Sequence, residues 1–270
     1  MLRSYTGKVA VVTGAASGLG LALARELARR KCHLALVDID GEKLAAAESS
    51  LASADIRISG HTADVASAET MRDLAQRVSA EHGAAHLLIN NAGIGISAPL
   101  SATSPDAFDR LMRVNFDGVL NGCRAFLPLL QQQPEAQIVN VSSCFAWLGY
   151  PGKSAYSASK AAVRAFSEAL RMELAETAVG VTVLYPGIVA TSIVSHGVAV
   201  SPDLRDREAA FLAQRGRNPD DAARLALDRL AGNPHRILIG SEYRLLDALT
   251  RFSPGLAARI VRWGAKRQGF

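Results

Sequence analysis

An alternation that runs through nearly the whole chain constrains the fold most. Short β-branched runs at Val9–Thr13, Leu34–Val37, Ile56–Thr62, Leu87–Asn90, Ile138–Ser142, Val181–Leu184 and Ile237–Ile239 are separated by helical periodicity near 19–31, 41–53, 67–82, 104–131, 155–176 and 219–231. Strands that alternate with helices form βαβ units, in which each helix carries the chain back over the sheet so that successive strands run parallel. The strand runs read as apolar throughout, the pattern of strands covered by helices on both faces. A single α/β domain on a parallel sheet is therefore expected, without internal repeats or low-complexity linkers. The length of 270 residues suits this, because α/β chains often exceed about 200 residues as one unit.

Two segments break the rhythm. Residues 192–218 follow the sixth strand run and hold a short helical pattern at 203–214. An insertion after a strand's C-terminal end is a candidate lid over a site. Residues 242–270 form a helical tail interrupted at Ser253-Pro254-Gly255. The expected boundaries are a main α/β body over 1–240, with the 192–218 excursion inside it, and a helical extension of the same domain over 241–270.

Several function classes are disfavoured by composition. No apolar run approaches the roughly 18 residues of a membrane span. The few residues before Lys8 are too short for a secretory signal. The three cysteines, Cys32, Cys123 and Cys144, show no metal-ligand spacing and suit buried thiols in a reducing cytoplasm. No metal site is expected. The net charge is +5, and the stretch from Ala248 to Phe270 carries five basic residues (Arg251, Arg259, Arg262, Lys266, Arg267) and no acidic one. The body is thus nearly neutral, which argues against a nucleic-acid partner.

The first strand run leads into Thr13-Gly14-Ala15-Ala16-Ser17-Gly18-Leu19-Gly20 and then a helix. Glycines there permit a tight turn and close approach of a pyrophosphate to a helix N-terminus, where backbone N–H groups and the helix dipole favour an anion. A merely tight strand–helix connection is the competing reading. The second strand run is followed by Asp38, eighteen residues beyond Gly20. An acid at that point can accept both hydroxyls of an adenosine ribose and repels a 2′-phosphate, although Asp38 and Asp40 could also simply form a turn. With no Arg or Lys between Gly14 and Gly20, and Ile39 after Asp38, NAD is favoured over NADP. Asn90-Asn91-Ala92-Gly93 and Asp64-Val65 lie at further strand ends, suited to the ribose and adenine.

Tyr156 and Lys160 stand at i and i+4 on one helical pattern, so they share a face. A phenol has an ordinary pKa of about 10, and a neighbouring ammonium favours its ionised form. Such a pair can act as a general acid/base. Ser143, thirteen residues upstream, offers a hydroxyl to hold a carbonyl or alcohol oxygen beside it.

Thr13-Gly14-x-x-x-Gly18-x-Gly20, Asp64, Asn90-Asn91-Ala92-Gly93, Asn115, Ser143, Tyr156-x-x-x-Lys160 and Pro186-Gly187, in this order, resemble the classical short-chain dehydrogenases/reductases over roughly residues 5–240. The resemblance implies a doubly wound Rossmann fold with a seven-stranded parallel sheet, and a catalytic tetrad of Asn115, Ser143, Tyr156 and Lys160. It implies a nicotinamide cofactor held by Gly14, Ser17, Gly18, Leu19, Gly20, Asp38, Asp64, Val65, Asn91, Ala92, Gly93, Tyr156 and Lys160. The loop with Pro186, Gly187, Val189 and Thr191 completes that set. In this scheme Asn115 holds a water that links Lys160 to solvent. The family's usual Gly-rich interface segment after the last strand is replaced by Ser241-Glu242-Tyr243 and the helical tail. A homodimer or homotetramer is expected, with the long helices near 104–131 and 155–176 offering a dimer face.

The segment Cys144-Phe145-Ala146-Trp147-Leu148-Gly149-Tyr150 precedes the tyrosine helix. Phe145, Trp147 and Tyr150, with Ile94, Ile96, Ile193 and Val194, predict an apolar pocket for a hydrophobic secondary alcohol or ketone. Two other classes compete. A sugar-nucleotide epimerase also uses Tyr, Lys and NAD, but the glycine spacing and the lack of a sizeable C-terminal substrate domain disfavour it. A non-catalytic NAD-sensing or interaction protein on the same fold is the other. In the tail, Leu256, Ile260 and Trp263 share one helical face, expected to cover an apolar surface of the protein's own subunit or a partner copy. Contact with a membrane is the less favoured alternative.

Overall fold

The computed structural model describes residues 2, 4–52, 55–191, 198–199 and 202–267. The chain begins β1 (Val9–Thr13), α1 (Gly18–Arg29), β2 (His33–Asp38), α2 (Gly41–Leu51), β3 (Ile58–Thr62), α3 (Ala68–His82), β4 (Leu87–Asn90) and a short β5 (Ile96–Ser97). It continues through α4 (Pro105–Met112), α5 (Gly118–Gln131), β6 (Ala136–Val141), α6 (Ser154–Glu173) and β7 (Val179–Tyr185). The last part holds β8 (Val198–Ala199), α7 (Pro202–Arg215), α8 (Pro219–Leu230), β9 (Arg236–Leu238), α9 (Ser241–Phe252) and α10 (Pro254–Arg267).

Seven strands form one sheet in the order β3-β2-β1-β4-β6-β7-β9. Every neighbouring pair is parallel, with registers such as Val12 opposite both Leu36 and Ile89. The chain winds outward from β1 to β3, then returns to β4 and winds the other way. The order therefore reverses between β1 and β4, which opens a crevice at their C-terminal ends.

Period-two alternation assigns side chains to two cores. Ala10, Val12, Leu34, Leu36 and Ile89 meet Leu23 and Leu27 of α1 and Leu227 of α8. Val11, Ala35, Val37 and Leu88 meet Met71 and Leu74 of α3, Phe126 and Leu130 of α5, and Val163 of α6. Most of these side chains are wholly buried. At about 1.5–3 kcal/mol for each large apolar side chain removed from water, this two-sided burial is the main force ordering the sheet. β3 departs from the expected apolar pattern. It reads Ile-Ser-Gly-His-Thr and only His61 is buried, because an edge strand has less surface to cover.

Helix ends follow local chemistry. Ser67 and Ser104 cap α3 and α4 by accepting from Thr70 N and Ala107 N, and Gly83 ends α3 in the left-handed region at φ +77°. The helix expected over 104–131 is not uniform. A π-helical turn, Arg113–Asp117, separates α4 from α5 and adds a residue to the turn at Asn115.

The excursion between Val189 and Arg217 leaves and returns at one place: Ala190 N donates to Arg217 O, and Arg217 N donates to Ile188 O. Within it β8 pairs with β5, Val198 beside Ile96, and α7 occupies most of the rest. In α10 the small residues Ala257 and Ala265 are buried, whereas Leu256, Ile260 and Trp263 are 47%, 47% and 58% exposed. Among the described residues that stripe is thus only about half covered by its own subunit. Among the described residues no helix is long and apolar enough to cross a membrane.

Candidate active site

The crevice between β1 and β4 opens into a cavity of about 1030 Å³ that extends under α7 and α10. Its floor begins where β1 ends. The Thr13 hydroxyl accepts from both Asn91 N and Ala92 N at 3.0 Å, tying β1 to β4. Asn91 Nδ2 donates to Thr13 O at 2.9 Å, which fixes the turn into the glycine loop. Gly14 adopts φ +66°, and a Cβ there would lie 2.9 Å from Ala92 Cα. A Cβ at Gly20 would lie 1.9 Å from Gly14 O. Gly20 thus serves helix–strand contact and does not line the cavity, unlike Gly14, Ser17, Gly18 and Leu19. Ser17 makes no side-chain cap bond, so the first-turn N–H groups of α1 are left uncapped where α1 meets the cavity.

The carboxylate of Asp38 stands at the end of β2, accepting from Ala16 N at 3.0 Å and Asp40 N at 3.1 Å. Backbone bonds to the glycine loop thereby fix its position. Lys43 also lines this end of the cavity, but Asp40 engages its ammonium at 2.6 Å. Asp64, whose carboxylate accepts from Ala66 N, and Val65 form the next stretch of wall, followed by Asn91, Ala92 and Gly93.

Asn115 is fully buried and does not reach the cavity. Its Oδ1 accepts from Ile94 N at 2.8 Å, and its Nδ2 donates to Ile94 O and Ser159 Oγ, both at 3.0 Å. The π-turn points this amide at the β4–β5 loop and α6 together. The side-chain amide is engaged by direct protein bonds, and it braces the loop that carries Gly93. A Cβ on Gly93 would lie 3.1 Å from Asn115 Oδ1 and 3.4 Å from Lys160 Nζ, so a side chain there would press on the Asn115 amide.

Ser143, Tyr156 and Lys160 meet at the inner wall of the cavity. Ser143 follows β6, and Tyr156 and Lys160 lie on the first turns of α6. The backbone of that helix is anchored by Ser142 Oγ donating to Lys160 O at 2.8 Å. Lys160 Nζ donates to Val141 O at 3.0 Å and stands 5.9 Å from the Tyr156 ring centroid. Burial dominates both groups. It pushes the Tyr156 phenol up to about 12, against the opposing effect of the Ser143 hydroxyl and with a smaller upward contribution from Cys144. It lowers the Lys160 ammonium to about 8. The expectation that the lysine would pull the tyrosine below its ordinary pKa is therefore not met. At neutral pH the pair is a neutral phenol beside a largely charged ammonium.

The remaining wall is mostly apolar. Phe145 lies edge-on to both Tyr156 (centroids 6.1 Å apart) and Tyr150 (5.7 Å), and Ile94 and Ile96 line the same space. Trp147 does not. The tight turn Cys144–Ala146 that presents Phe145 to the cavity carries Trp147 away from it, and its indole N–H is buried with no hydrogen-bond partner among the described residues. Ile193 and Val194 lie outside the described residues. Pro186, Gly187, Val189 and Thr191 line the far side. Gly187 has φ +68°, and a Cβ there would meet Ile239 O at 2.6 Å.

One cluster gave no sequence signal. Lys153, at the start of α6, pairs with Glu208 of α7 at 2.9 Å, with side chains only 13% and 14% exposed. Ser97 of β5 bonds to both. Tyr243 of α9 and Ile260 of α10 also line the cavity. Cys32, Cys123 and Cys144 are buried free thiols. No cluster among the described residues could hold a metal. His82 and His86 stand four apart, but Gly83 ends α3 between them.

Comparison with known proteins agrees with this arrangement. The family model described as short chain dehydrogenase matches residues 8–199. A Mycobacterium tuberculosis protein named SadH is 34% identical over 98% of this chain and 98% of its own. Among solved structures, a short chain dehydrogenase/reductase from Burkholderia phymatum in complex with NAD superposes with TM-score 0.84 at 31% identity, covering 93% of this chain and 96% of that one. An alcohol dehydrogenase from Thermococcus sibiricus complexed with 5-hydroxy-NADP superposes with TM-score 0.75 at 27% identity, covering 87% and 97%.

Proposed function

The chain belongs to the short-chain dehydrogenases/reductases, a family of oxidoreductases, and on that footing we propose that it moves hydride between NAD and a hydrophobic secondary alcohol or ketone. One observation carries the reading: Ser143, Tyr156 and Lys160 converge on the same cavity as the glycine loop and Asp38, so a dinucleotide lying along the β1/β4 crevice ends beside the phenol.

The residues present fit such a cofactor. Uncapped N–H groups at the start of α1 suit a pyrophosphate, and the Asp38 carboxylate suits two ribose hydroxyls. Asp38 stands against a 2′-phosphate, while Lys43, which lines this end of the cavity, is already paired with Asp40. Pro186, Gly187, Val189 and Thr191 would flank the nicotinamide. When bound, the cofactor supplies or accepts the hydride at the substrate carbon.

This chain's own residues handle the proton. In the reductive direction the Tyr156 O–H gives its proton to the carbonyl oxygen as the carbon receives hydride, leaving an alcohol and a phenolate that Lys160 stabilises. In the oxidative direction the phenolate takes the alcohol proton. Ser143 holds the reacting oxygen. Asn115 is a positioning residue that braces Gly93 and Ile94 beside Lys160. Phe145, Tyr150, Ile94 and Ile96 favour a substrate apolar around its carbonyl.

Purified protein with NAD or NADP and a panel of aliphatic, aryl and steroid alcohols tests the reading through cofactor reduction. Turnover of apolar secondary alcohols with a higher kcat/KM for NAD is expected. No turnover with any alcohol or its ketone would sink the enzymatic assignment. A preference for NADP would overturn the cofactor choice.

A further inference from the structure

Nine large apolar side chains are exposed among the described residues, and five of them (Leu245, Phe252, Leu256, Ile260 and Trp263) fall within α9 and α10. They are not scattered. On α10 a narrow side built on Ala257 and Ala265 faces the body. Leu256, Ile260 and Trp263, at i, i+4 and i+7, form one flank, and Arg259 and Arg262 extend from the other. Ile260 also lines the catalytic cavity, so the apolar flank is continuous with the cavity's outer rim.

We propose that α10 seats the protein on an anionic membrane surface, with the Leu256–Ile260–Trp263 flank in the headgroup–acyl boundary and the cavity rim turned toward the lipid. A helix with a strong apolar side and a basic side, but little overall hydrophobicity, lies in that interface rather than crossing it. Charge selects the occupant. From Ala248 to Phe270 there are five basic residues and no acidic one, whereas the rest of the chain is balanced. Each cation near an anionic leaflet adds to the attraction, and long Arg side chains can reach the headgroups while the neighbouring Trp and Ile stay in the acyl boundary. A second copy is the poorer match. Were its own counterpart to pack on this acid-free helix across a two-fold axis, like charge would face like charge.

The consequence for supply rests on the proposed function: an apolar alcohol or ketone dissolved in the bilayer would enter over Ile260 without crossing water. The docking itself requires no turnover.

Sedimentation with phosphatidylcholine–phosphatidylglycerol vesicles at physiological ionic strength, against pure phosphatidylcholine vesicles, tests the docking. The full-length protein is expected to bind only the anionic vesicles, and less so as salt rises. Arg259→Glu with Arg262→Glu should weaken vesicle affinity by at least about ten-fold. Leu256→Glu with Trp263→Glu should abolish binding, while circular dichroism and the melting temperature stay close to wild type. In the unaltered protein, tryptophan emission should shift to the blue on vesicle binding, and Trp263→Phe should remove that shift. The proposal fails if the full-length protein ignores anionic vesicles, or if binding survives both double substitutions. It also fails if Leu256→Glu with Trp263→Glu instead dissociates an oligomer that never bound vesicles, which would make the flank a seat for a second copy. Because binding is read without substrate, its failure leaves the dehydrogenase reading standing, and a protein without activity could still dock.

Discussion

Replacing Tyr156 with Phe removes one oxygen and keeps the ring edge-on to Phe145. If that hydroxyl carries the proton, turnover should fall by about 10²–10⁴-fold, the usual worth of general acid/base catalysis, with cofactor binding retained. Steady-state rates and fluorescence titration with NADH distinguish this from misfolding, and near-normal turnover would remove Tyr156 from the proposed chemistry. The pH dependence has a definite sign. The phenol lies near 12, so below that it is the proton-bearing form that ketone reduction needs. Alcohol oxidation, which needs the phenolate, should instead accelerate as pH rises. Lys160, near 8, loses its charge over the same alkaline range, so the rise should be shallower than phenol ionisation alone would give. Asp38 offers a second residue-scale test. Asp38→Asn keeps an oxygen acceptor for Ala16 N and removes the negative charge. The ratio of kcat/KM for NADP over NAD should then rise, and an unchanged ratio would show that something else sets the choice.

Elements were legible where local chemistry decides them. β1 runs Val9–Thr13 as read, because a β-branched run before a glycine turn has few alternatives, and Ser104-Pro105 marks the start of α4 as cap and N1 residues should. The glycine loop, Asp38 and the Tyr156–Lys160 pair were readable for the same reason: each depends on spacing within one strand end or one helix. What escaped reading depends on partners distant in sequence. The π-turn at Arg113–Asp117 has no composition signal, since its purpose is to aim Asn115 at Ile94 and Ser159. Trp147 read as a pocket residue because a short aromatic run does not reveal which way a tight turn faces it. The Lys153–Glu208 pair joins residues 55 apart and could not be anticipated. It carries a prediction about α7. Breaking a largely buried pair from one side leaves the other charge without compensation. Glu208→Gln should therefore loosen α7, seen as faster amide exchange across 206–215 and a raised KM. Adding Lys153→Met, which removes the stranded charge, should restore much of the protection. Unchanged exchange in Glu208→Gln would mean that α7 is held by its other contacts.

On the scale of the whole molecule, the far edge of the sheet governs how the fold responds to acid. Ser59 of β3 bonds at 2.8 Å to both His61 Nε2 and His82 Nε2, so two imidazoles share one hydroxyl. His61 also faces Glu81 at 3.6 Å and Arg77, and His82 lies near Arg57 and His33. Burial is the first cause lowering both imidazoles below their ordinary 6.5, and it lowers His86, under β1, as well. Glu81 opposes the shift but does not reverse it. All three histidines are thus held neutral in the folded protein, while the unfolded chain protonates them at about 6.5. Below that pH the unfolded state binds more protons, so stability must fall as pH falls. The stabilisation is fully present above about 6.5 and is lost progressively beneath it, until the folded-state pKa values are reached. The melting temperature should accordingly hold level between about pH 7 and 8 and drop from about 6.5 downward, well before carboxylates titrate. His61→Gln supplies a neutral partner for Ser59 that cannot be protonated, so it should flatten the decline even if it lowers the plateau. A wild-type profile that stays level to about pH 5 would show that the β3–α3 edge opens too readily for its histidines to couple to global unfolding.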